Sequence, residues 1–396
     1  MKFFALIFFS SLLFGTAFGL SPIPGVTIYV HDAALFLLFL ASFGVCIWKK
    51  RWTKPKLFVP IVTFTAIGGA SLLLNAFRVT PAEFIQSSLY LLRWIFYAGI
   101  YVICVQSFIP VSFWVWGLAV VGWGFAGLGL VQYQLYPSLR NLSYLGWDPH
   151  YFRLFSTLLD PNFVGILFVF SFFITIYLWK TTKKNWIIFF LILLGVSLYL
   201  TYSRSSYVAF LVGSGFLLVR SLHRKVEGVI ALIVFIVLII FLPKPGGDTL
   251  RIDRMISTVA RIENWQESIK RIGESPLIGF GFNTLRFVFP SDNGRVDLNS
   301  KAAAGVDNSV LFIFLTTGII GCIAYCWLLY GQWKQAQRLL RKKHALLGNI
   351  VLASLLAILV HSMFINSLFY PWVMIWMWIM TGVVESTLRG SPPSRG

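Results

Sequence analysis

Residues 162–179 read NFVGILFVFSFFITIYLW and contain no charged side chain. A helix of roughly 20 mostly apolar residues is long enough to cross the hydrocarbon core of a bilayer. Lys180, Lys183 and Lys184 follow directly, and another apolar stretch begins at residue 185. Two apolar segments joined by a short basic turn are typical of neighbouring transmembrane helices whose connection lies in the cytoplasm.

The same pattern recurs along the whole chain of 396 residues, of which 58% are hydrophobic and only 12% are charged. Soluble domains carry about 25% charged residues. Because backbone groups in lipid must bond within the protein, the apolar segments are expected to be helices. We predict an all-α polytopic bundle that forms one integral membrane domain over residues 1–396. About twelve spans are predicted, at residues 3–20, 27–48, 57–76, 84–104, 108–136, 162–179, 185–203, 205–219, 226–243, 306–330, 346–366 and 369–387.

The distribution of charge indicates the orientation. With the N-terminus in the cytoplasm, the cytoplasmic pieces hold 19 of the 33 Lys and Arg residues, and the only acids near that side are Glu227 and Glu385. The net charge of +19 is thus an orientation signal that places both termini in the cytoplasm, and no nucleic acid is expected as a partner. Lys2 and the small residues near Ala17 and Gly19 fit either a cleaved signal peptide or a retained first helix, and we favour retention.

Two predicted outer loops are long, one from residue 137 to about residue 161 and a larger one over 244–305. In the larger loop, apolar residues recur at helical spacing between residues 250 and 272, with charged residues filling much of the rest. This pattern predicts an amphipathic helix, lying in the plane of the lipid headgroups with Trp265 as an interfacial anchor.

Charged side chains inside or beside spans are costly, and by default they mark function. Arg204 lies in a small polar turn between two spans, where it either serves a site or only fixes the helix ends by snorkelling. Arg153 and Asn162 lie on either side of Asp160-Pro161 and are further candidates. Pro161 suits the first position of a helix, so Asp160 is expected to be its cap.

Arg261 and Arg286 lie in the large loop, where they either meet anionic headgroups or bind phosphate bidentately. Asp307-Asn308 opens the tenth span, either as a helix cap or with Asp307 as a general base. His361 is either a proton acceptor or a helix-packing partner. Carboxylate pairs near membrane depth are missing and the four cysteines lie in apolar runs, so no metal, cofactor or disulfide framework is expected.

Taken together and in this order, four stretches of the chain resemble the O-antigen ligase and O-antigen polymerase superfamily of bacterial envelope glycan enzymes. The resemblance covers residues 150–325 and is only hydropathic outside them. The stretches are Arg153 to Gly165 (RLFSTLLDPNFVG), Leu200 to Ser206 (LTYSRSS), Arg261 to Asn283 (RIENWQESIKRIGESPLIGFGFN) and Asp307 to Gly321 (DNSVLFIFLTTGIIG).

The resemblance implies a GT-C-like helical fold in the bacterial inner membrane, with the 244–305 loop in the periplasm over the site. It implies transfer of a glycan from undecaprenyl diphosphate to a glycan, lipid A core or protein acceptor, with inversion and without metal or nucleotide. Arg204 matches the arginine that follows the small polar turn in this family. Arg261 matches the family's loop arginine, which comes before a tryptophan. A His-Asn pair opens the next span in ligases, whereas this chain has Asp307-Asn308. Either Asp307 serves as the base, or His361 takes that role, or the activity differs from that of a ligase.

Our sequence-based hypothesis is therefore a periplasm-facing glycosyltransferase. Arg204 and Arg261 bind the diphosphate and stabilise its charge as it leaves. Asp307 deprotonates the acceptor hydroxyl, which Asn308 positions. Substrate-binding roles are predicted for Arg153, Asn162, Arg286 and His361. The rival hypothesis is a polytopic transporter or another non-enzymatic membrane protein, although no internal repeat is present and the charged candidates lie near the outer surface.

Overall fold

The computed structural model describes residues 1–23, 25–220, 225–241, 261–289, 306–341 and 343–390. Helices account for most of these residues, and one antiparallel hairpin accompanies them. In chain order the elements are α1 (Lys2–Leu12), β1 (Gly19–Ile23), β2 (Val26–Tyr29), α2 (Val30–Trp48), α3 (Phe58–Leu74), α4 (Pro81–Val105), α5 (Val111–Leu135), α6 (Pro161–Thr182), α7 (Ile187–Leu200), α8 (Arg204–Arg220), α9 (Lys225–Phe241), α10 (261–272), α11 (Leu285–Val288), α12 (Ser309–Leu340), α13 (Ala345–Ser362) and α14 (Pro371–Leu388).

This is an all-α membrane protein, as the hydropathy of the sequence predicted. Among the described residues, six helices are long and apolar enough to cross a bilayer by themselves, namely α2, α4, α5, α6, α12 and α13. Each of the twelve predicted spans coincides at least in part with one of the helices α1–α9 and α12–α14. The number of spans stays a prediction, because α1, α3 and α7 are shorter apolar helices.

The first predicted span, 3–20, is too long. Helix α1 ends at Leu12, and Gly15 adopts a positive φ of 61° beside the backbone of Thr157. The backbone N–H groups of Thr16 and Ala17 then donate to the carbonyl oxygen of Thr157, at 3.0 and 3.2 Å. The chain leaves the helix because these donors bond to another loop, and it continues into the β1–β2 hairpin.

A break inside α12 positions part of the large loop. Gly318 has φ 65° and ψ −169°, so the helix is interrupted there. The turn after α10 fills the interruption. The N–H of Phe280 donates to the carbonyl of Leu315 at 2.7 Å, and the N–H of Ile319 donates to that of Pro276 at 2.9 Å. The Ser71 hydroxyl of α3 has the carbonyls of Ile278 and Thr316 within hydrogen-bond reach, at 2.6 and 2.8 Å. Backbone groups exposed by the break are therefore satisfied by protein, as lipid requires.

The end of the bundle where α6 and α14 finish is held together by one buried carboxylate. Glu385 of α14 is fully buried and accepts from the backbone N–H of Lys56 at 3.1 Å. It also accepts from the Tyr101 hydroxyl and from the guanidinium of Arg389. Glu385, which the charge distribution placed near the predicted cytoplasmic side, thus joins α4, α14 and the segment before α3.

Candidate functional site: an arginine-lined cavity

A cavity of about 970 Å³ lies at the opposite end, where α6, α12 and α14 begin. Its wall is built by the β1–β2 hairpin, α4, the loop between α5 and α6, α10, and the segments around residues 283, 307 and 366. Ionisable side chains of both signs line it. They are Arg93, Arg261, Arg286, Asp148, Asp160, Asp307 and His150.

Arg261 and Asp307 face each other across this cavity wall. The Nε of Arg261 lies 3.7 Å from an Oδ of Asp307, and both side chains are partly exposed. The backbone N–H of Asp307 donates to the side-chain oxygen of Asn264 on α10 at 3.4 Å. Burial raises the pKa of Asp307 and Asp148 raises it further, while Arg261 opposes both effects. The structure therefore brings together two of the four predicted catalytic residues.

Arg153 and Asn162 are joined to the polar turn between α7 and α8. Arg153 donates from Nε to the carbonyl of Thr201 at 2.9 Å and from a terminal nitrogen to Oδ1 of Asn162 at 3.3 Å. The Ser203 hydroxyl also donates to Oδ1 of Asn162, at 2.9 Å. The turn contains Tyr202 in the left-handed conformation, with a φ of 51°. Asn162 lines the cavity and Arg153 lies behind it.

His361 is fully buried and does not line the cavity. Its Nε2 lies 3.2 Å from the hydroxyl of Ser206, and its Nδ1 lies 2.6 Å from that of Ser367. The imidazole thus links the start of α8 to the segment between α13 and α14. This position favours the helix-packing interpretation of His361 over direct contact with a substrate.

Two residues at the cavity edge are helix caps. Asn308 accepts from the N–H groups of Val310 and Leu311 at 2.8 and 3.1 Å and donates to the carbonyl of Met363 at 2.9 Å. Asp160 accepts from the N–H of Asn162 at 2.7 Å, as expected from the sequence. Burial raises the pKa of Asp160 to about 6, against the opposing effect of that hydrogen bond.

Two further arginines of the cavity lining lie around Tyr90 of α4. The guanidinium carbons of Arg93 and Arg286 lie 5.6 and 5.9 Å from its ring centroid. Arg93 forms an ion pair with Asp32 of α2 at 3.3 Å, which supplies the partner that an arginine inside a span requires. No carboxylate in the described ranges forms an ion pair with Arg286.

Arg204, like Arg153, Asn308 and His361, is a predicted site residue that does not line the cavity. It is the first residue of α8, its side chain is exposed, and it is absent from the cavity wall.

The large loop is described only at residues 261–289, so the predicted amphipathic helix can be followed only at 261–272, while its part before residue 261 lies outside the described residues.

Sequence reasoning did not single out Asp148, His150 or Asn264 as site residues. Asp148 and His150 lie in the loop between α5 and α6, which contains an isolated β-bridge between Ser138 and Tyr151. The signal available in the sequence was the density of aromatic and ionisable residues in YLGWDPHYFR, residues 144–153. Nothing in the spacing of these residues indicated that they would line the same cavity as Asp307.

Fold and cavity together define a polytopic membrane protein with a large pocket of arginine and aspartate side chains at one end of its helices. Comparison with protein families identifies a match over residues 188–326, to the model described as O-antigen ligase. The matched part covers about a third of the chain and includes Arg261, Arg286 and Asp307. The resemblance predicted from the sequence is confirmed over this part. None of the curated proteins is similar enough to the chain to count as a match.

Proposed function

We propose that this protein is a glycosyltransferase of the O-antigen ligase or polymerase type. It moves a glycan from undecaprenyl diphosphate to a hydroxyl of an acceptor at the periplasmic face of the bacterial inner membrane. The observation that carries the proposal is a cavity of about 970 Å³ in which Arg261 and Arg286 lie together with Asp307. Guanidinium groups match the geometry of phosphate oxygens, and a carboxylate can accept the proton of an attacking hydroxyl.

The proposed reaction needs one bond to form and one to break. The acceptor hydroxyl oxygen attacks the anomeric carbon of the donor sugar, and its proton passes to Asp307. The bond from that carbon to the diphosphate oxygen breaks, and undecaprenyl diphosphate leaves with its negative charge held by Arg261 and Arg286. Attack from the face opposite the leaving group gives inversion.

The predicted residues differ in how well their positions support a role. Arg261, Asp307, Arg286 and Asn162 line the cavity, and we propose that they contact substrate. Arg153 holds Asn162 in place, and Asn308 and His361 position the segments that carry the wall. Arg204, exposed at the start of α8, is the weakest candidate.

The charge pattern that predicts the orientation of the chain also indicates which way the cavity faces. The cavity lies where α6 and α14 begin, whereas Lys180, Lys183 and Arg389 lie where these helices end. Basic residues flank spans on the cytoplasmic side, so the cavity is expected to face the periplasm.

The broken helix α12 is a feature also found in transporters, where the break binds the transported ion or solute. Here the break at Gly318 is filled by the backbone of residues 276–280, and none of residues 313–320 lines the cavity. The break thus supports the wall of the cavity, and transport is the less favoured function.

The test is glycan transfer by purified protein in lipid, with an undecaprenyl-diphosphate-linked glycan as donor and no nucleotide. Removal of one preorganised donor to a developing charge costs about 10²–10³ in rate, so Arg261→Ala is expected to lose at least that much. Lys270→Ala on the same helix, an exposed cation outside the cavity, is the matched control and is expected to keep wild-type activity. Equal rates for both variants would exclude the proposed role of the cavity, and solute flux without transfer by the wild type would support the transporter.

A further inference from the structure

Three uncharged side chains of the cavity wall carry buried polar atoms that have no hydrogen-bond partner in the described part of the chain. These atoms are Nε2 of His150, Oδ1 of Asn366 and the hydroxyl of Tyr370. Buried polar atoms in folded proteins are almost always hydrogen-bonded, and each exception needs an explanation. Three exceptions around one cavity indicate groups that are satisfied by a bound molecule.

The start of α6 and the loop before it relate the three side chains to one another. The ring of Tyr370 stacks on that of Phe163, with centroids 3.7 Å apart and an interplanar angle of 2°. Phe163 follows Asn162, whose side chain bonds to Arg153, and the charge of Arg153 acts on His150. Asn366 and Tyr370 belong to the same short segment between α13 and α14.

The backbone fixes the position of His150, although its ring nitrogen Nε2 has no hydrogen-bond partner among the described residues. Its N–H donates to the carbonyl of Asp148 at 2.8 Å, and its own carbonyl accepts from the N–H of Leu139 at 2.8 Å. The imidazole is thus presented by a structured loop. A side chain held in this way can bind a ligand without first being ordered, which lowers the entropic cost of binding.

All three groups are neutral at physiological pH. Burial and the nearby Arg153 hold the pKa of His150 well below its usual value, and burial raises the pKa of the Tyr370 phenol well above its own. Phosphate recognition uses arginine, which other parts of this cavity supply. Neutral groups that donate or accept single hydrogen bonds match sugar hydroxyls, each of which can do both.

We propose that His150, Asn366 and Tyr370 form a sugar subsite, which binds uncharged hydroxyl groups of the glycan beside the diphosphate. The inference rests on the proposed function and adds the part of the substrate that these residues contact. Arg261 and Arg286 then bind the charged part of the donor, and the wall formed by the three neutral residues selects its sugar.

The experiment removes the polar atoms while keeping side-chain size, in Tyr370→Phe and Asn366→Leu. An uncharged hydrogen bond contributes modestly, so each variant is expected to raise KM for the lipid-linked glycan by about 3- to 10-fold. The unfolding temperature is expected to stay the same or rise, because an unsatisfied buried group is lost. Ser197→Ala on α7 is the matched control, since the Ser197 hydroxyl is also buried without a hydrogen-bond partner in the described ranges but lies away from the cavity. It is expected to leave KM unchanged.

A second arm measures the binding of two ligands, the lipid-linked glycan and undecaprenyl diphosphate without sugar, by the fluorescence of tryptophans such as Trp147 on the cavity wall. Tyr370→Phe and Asn366→Leu are expected to bind the lipid-linked glycan more weakly and the sugar-free lipid as the wild type does, whereas Arg261→Ala is expected to bind both more weakly. Equal weakening of sugar-free and sugar-bearing ligands by Tyr370→Phe would overturn the subsite, as would lower stability with unchanged affinity. Because binding is measured separately, the subsite is tested even if the wild type transfers no glycan.

Discussion

Replacement of Gly318 by alanine is expected to damage both the stability of the protein and its site. Gly318 has φ 65° and ψ −169°, a backbone conformation that is essentially restricted to glycine and costs other residues about 1–3 kcal/mol. A Cβ at this position would also lie 2.1 Å from the carbonyl oxygen of Leu277 and 2.2 Å from its carbonyl carbon. Both atoms belong to the backbone, so the turn that fills the break in α12 must move.

The overpacking adds a cost of its own, typically about 1–3 kcal/mol. We therefore expect Gly318→Ala to lower the free energy of unfolding by about 2–6 kcal/mol, measured by thermal unfolding in detergent. Glycan transfer is expected to fall as well, because the displaced turn leads directly to Asn283 and Arg286 on the cavity wall. Gly127→Ala is the control, since nothing lies within 4 Å of a Cβ at that helical position. It is expected to be neutral or to stabilise α5 by up to about 1 kcal/mol. A Gly318→Ala protein as stable and active as the wild type would refute this account of the break.

Three other expectations concern single carboxylates. Glu385→Leu is expected to lower the free energy of unfolding by about 3 kcal/mol, measured as a lower unfolding temperature. The carboxylate is fully buried, and its removal leaves the Arg389 guanidinium and the backbone N–H of Lys56 without this acceptor. Glu385→Gln should lose less stability. Burial raises the pKa of Asp160 to about 6, so the folded state binds its proton more tightly than the unfolded chain does. Stability should therefore fall as pH rises from about 4 to about 6. Asp160→Asn should lack this part of the pH dependence of unfolding. Asp307→Asn is expected to lose at least about 10²-fold in transfer rate while binding undecaprenyl diphosphate no more weakly than the wild type, whereas a wild-type rate would remove Asp307 as the base.

The fold class was predictable because the relevant physics is local. A run such as 162–179 has only one stable conformation in lipid, and this conclusion needs no knowledge of its neighbours. The Asp160 cap was predictable for the same reason, since a cap bonds to N–H groups two or three residues away. The span 3–20 was overestimated because Gly15 and the donors of Thr16 and Ala17 bond to Thr157, a contact that hydropathy does not record.

The site was predictable only in part, since its walls come from distant segments. Arg261 and Asp307 were found because the matched stretches carry them, and the structure places them 3.7 Å apart. His150 and Asn366 were missed as wall residues because neither lies in a recognisable pattern. Their roles depend on buried atoms without partners, which only a three-dimensional structure reveals.

The pairing of Arg261 with Asp307 links the binding of an anion to the basicity of the carboxylate. Arg261 lowers the pKa of Asp307, against the effects of burial and of Asp148. A diphosphate bound to Arg261 would compensate the guanidinium charge and add negative charge nearby, and both effects raise the pKa of the carboxylate. Asp307 would therefore become a stronger proton acceptor when the donor is in place. Because the ion pair is partly exposed, water and salt screen it, so the donor can displace Asp307 from Arg261 at little cost.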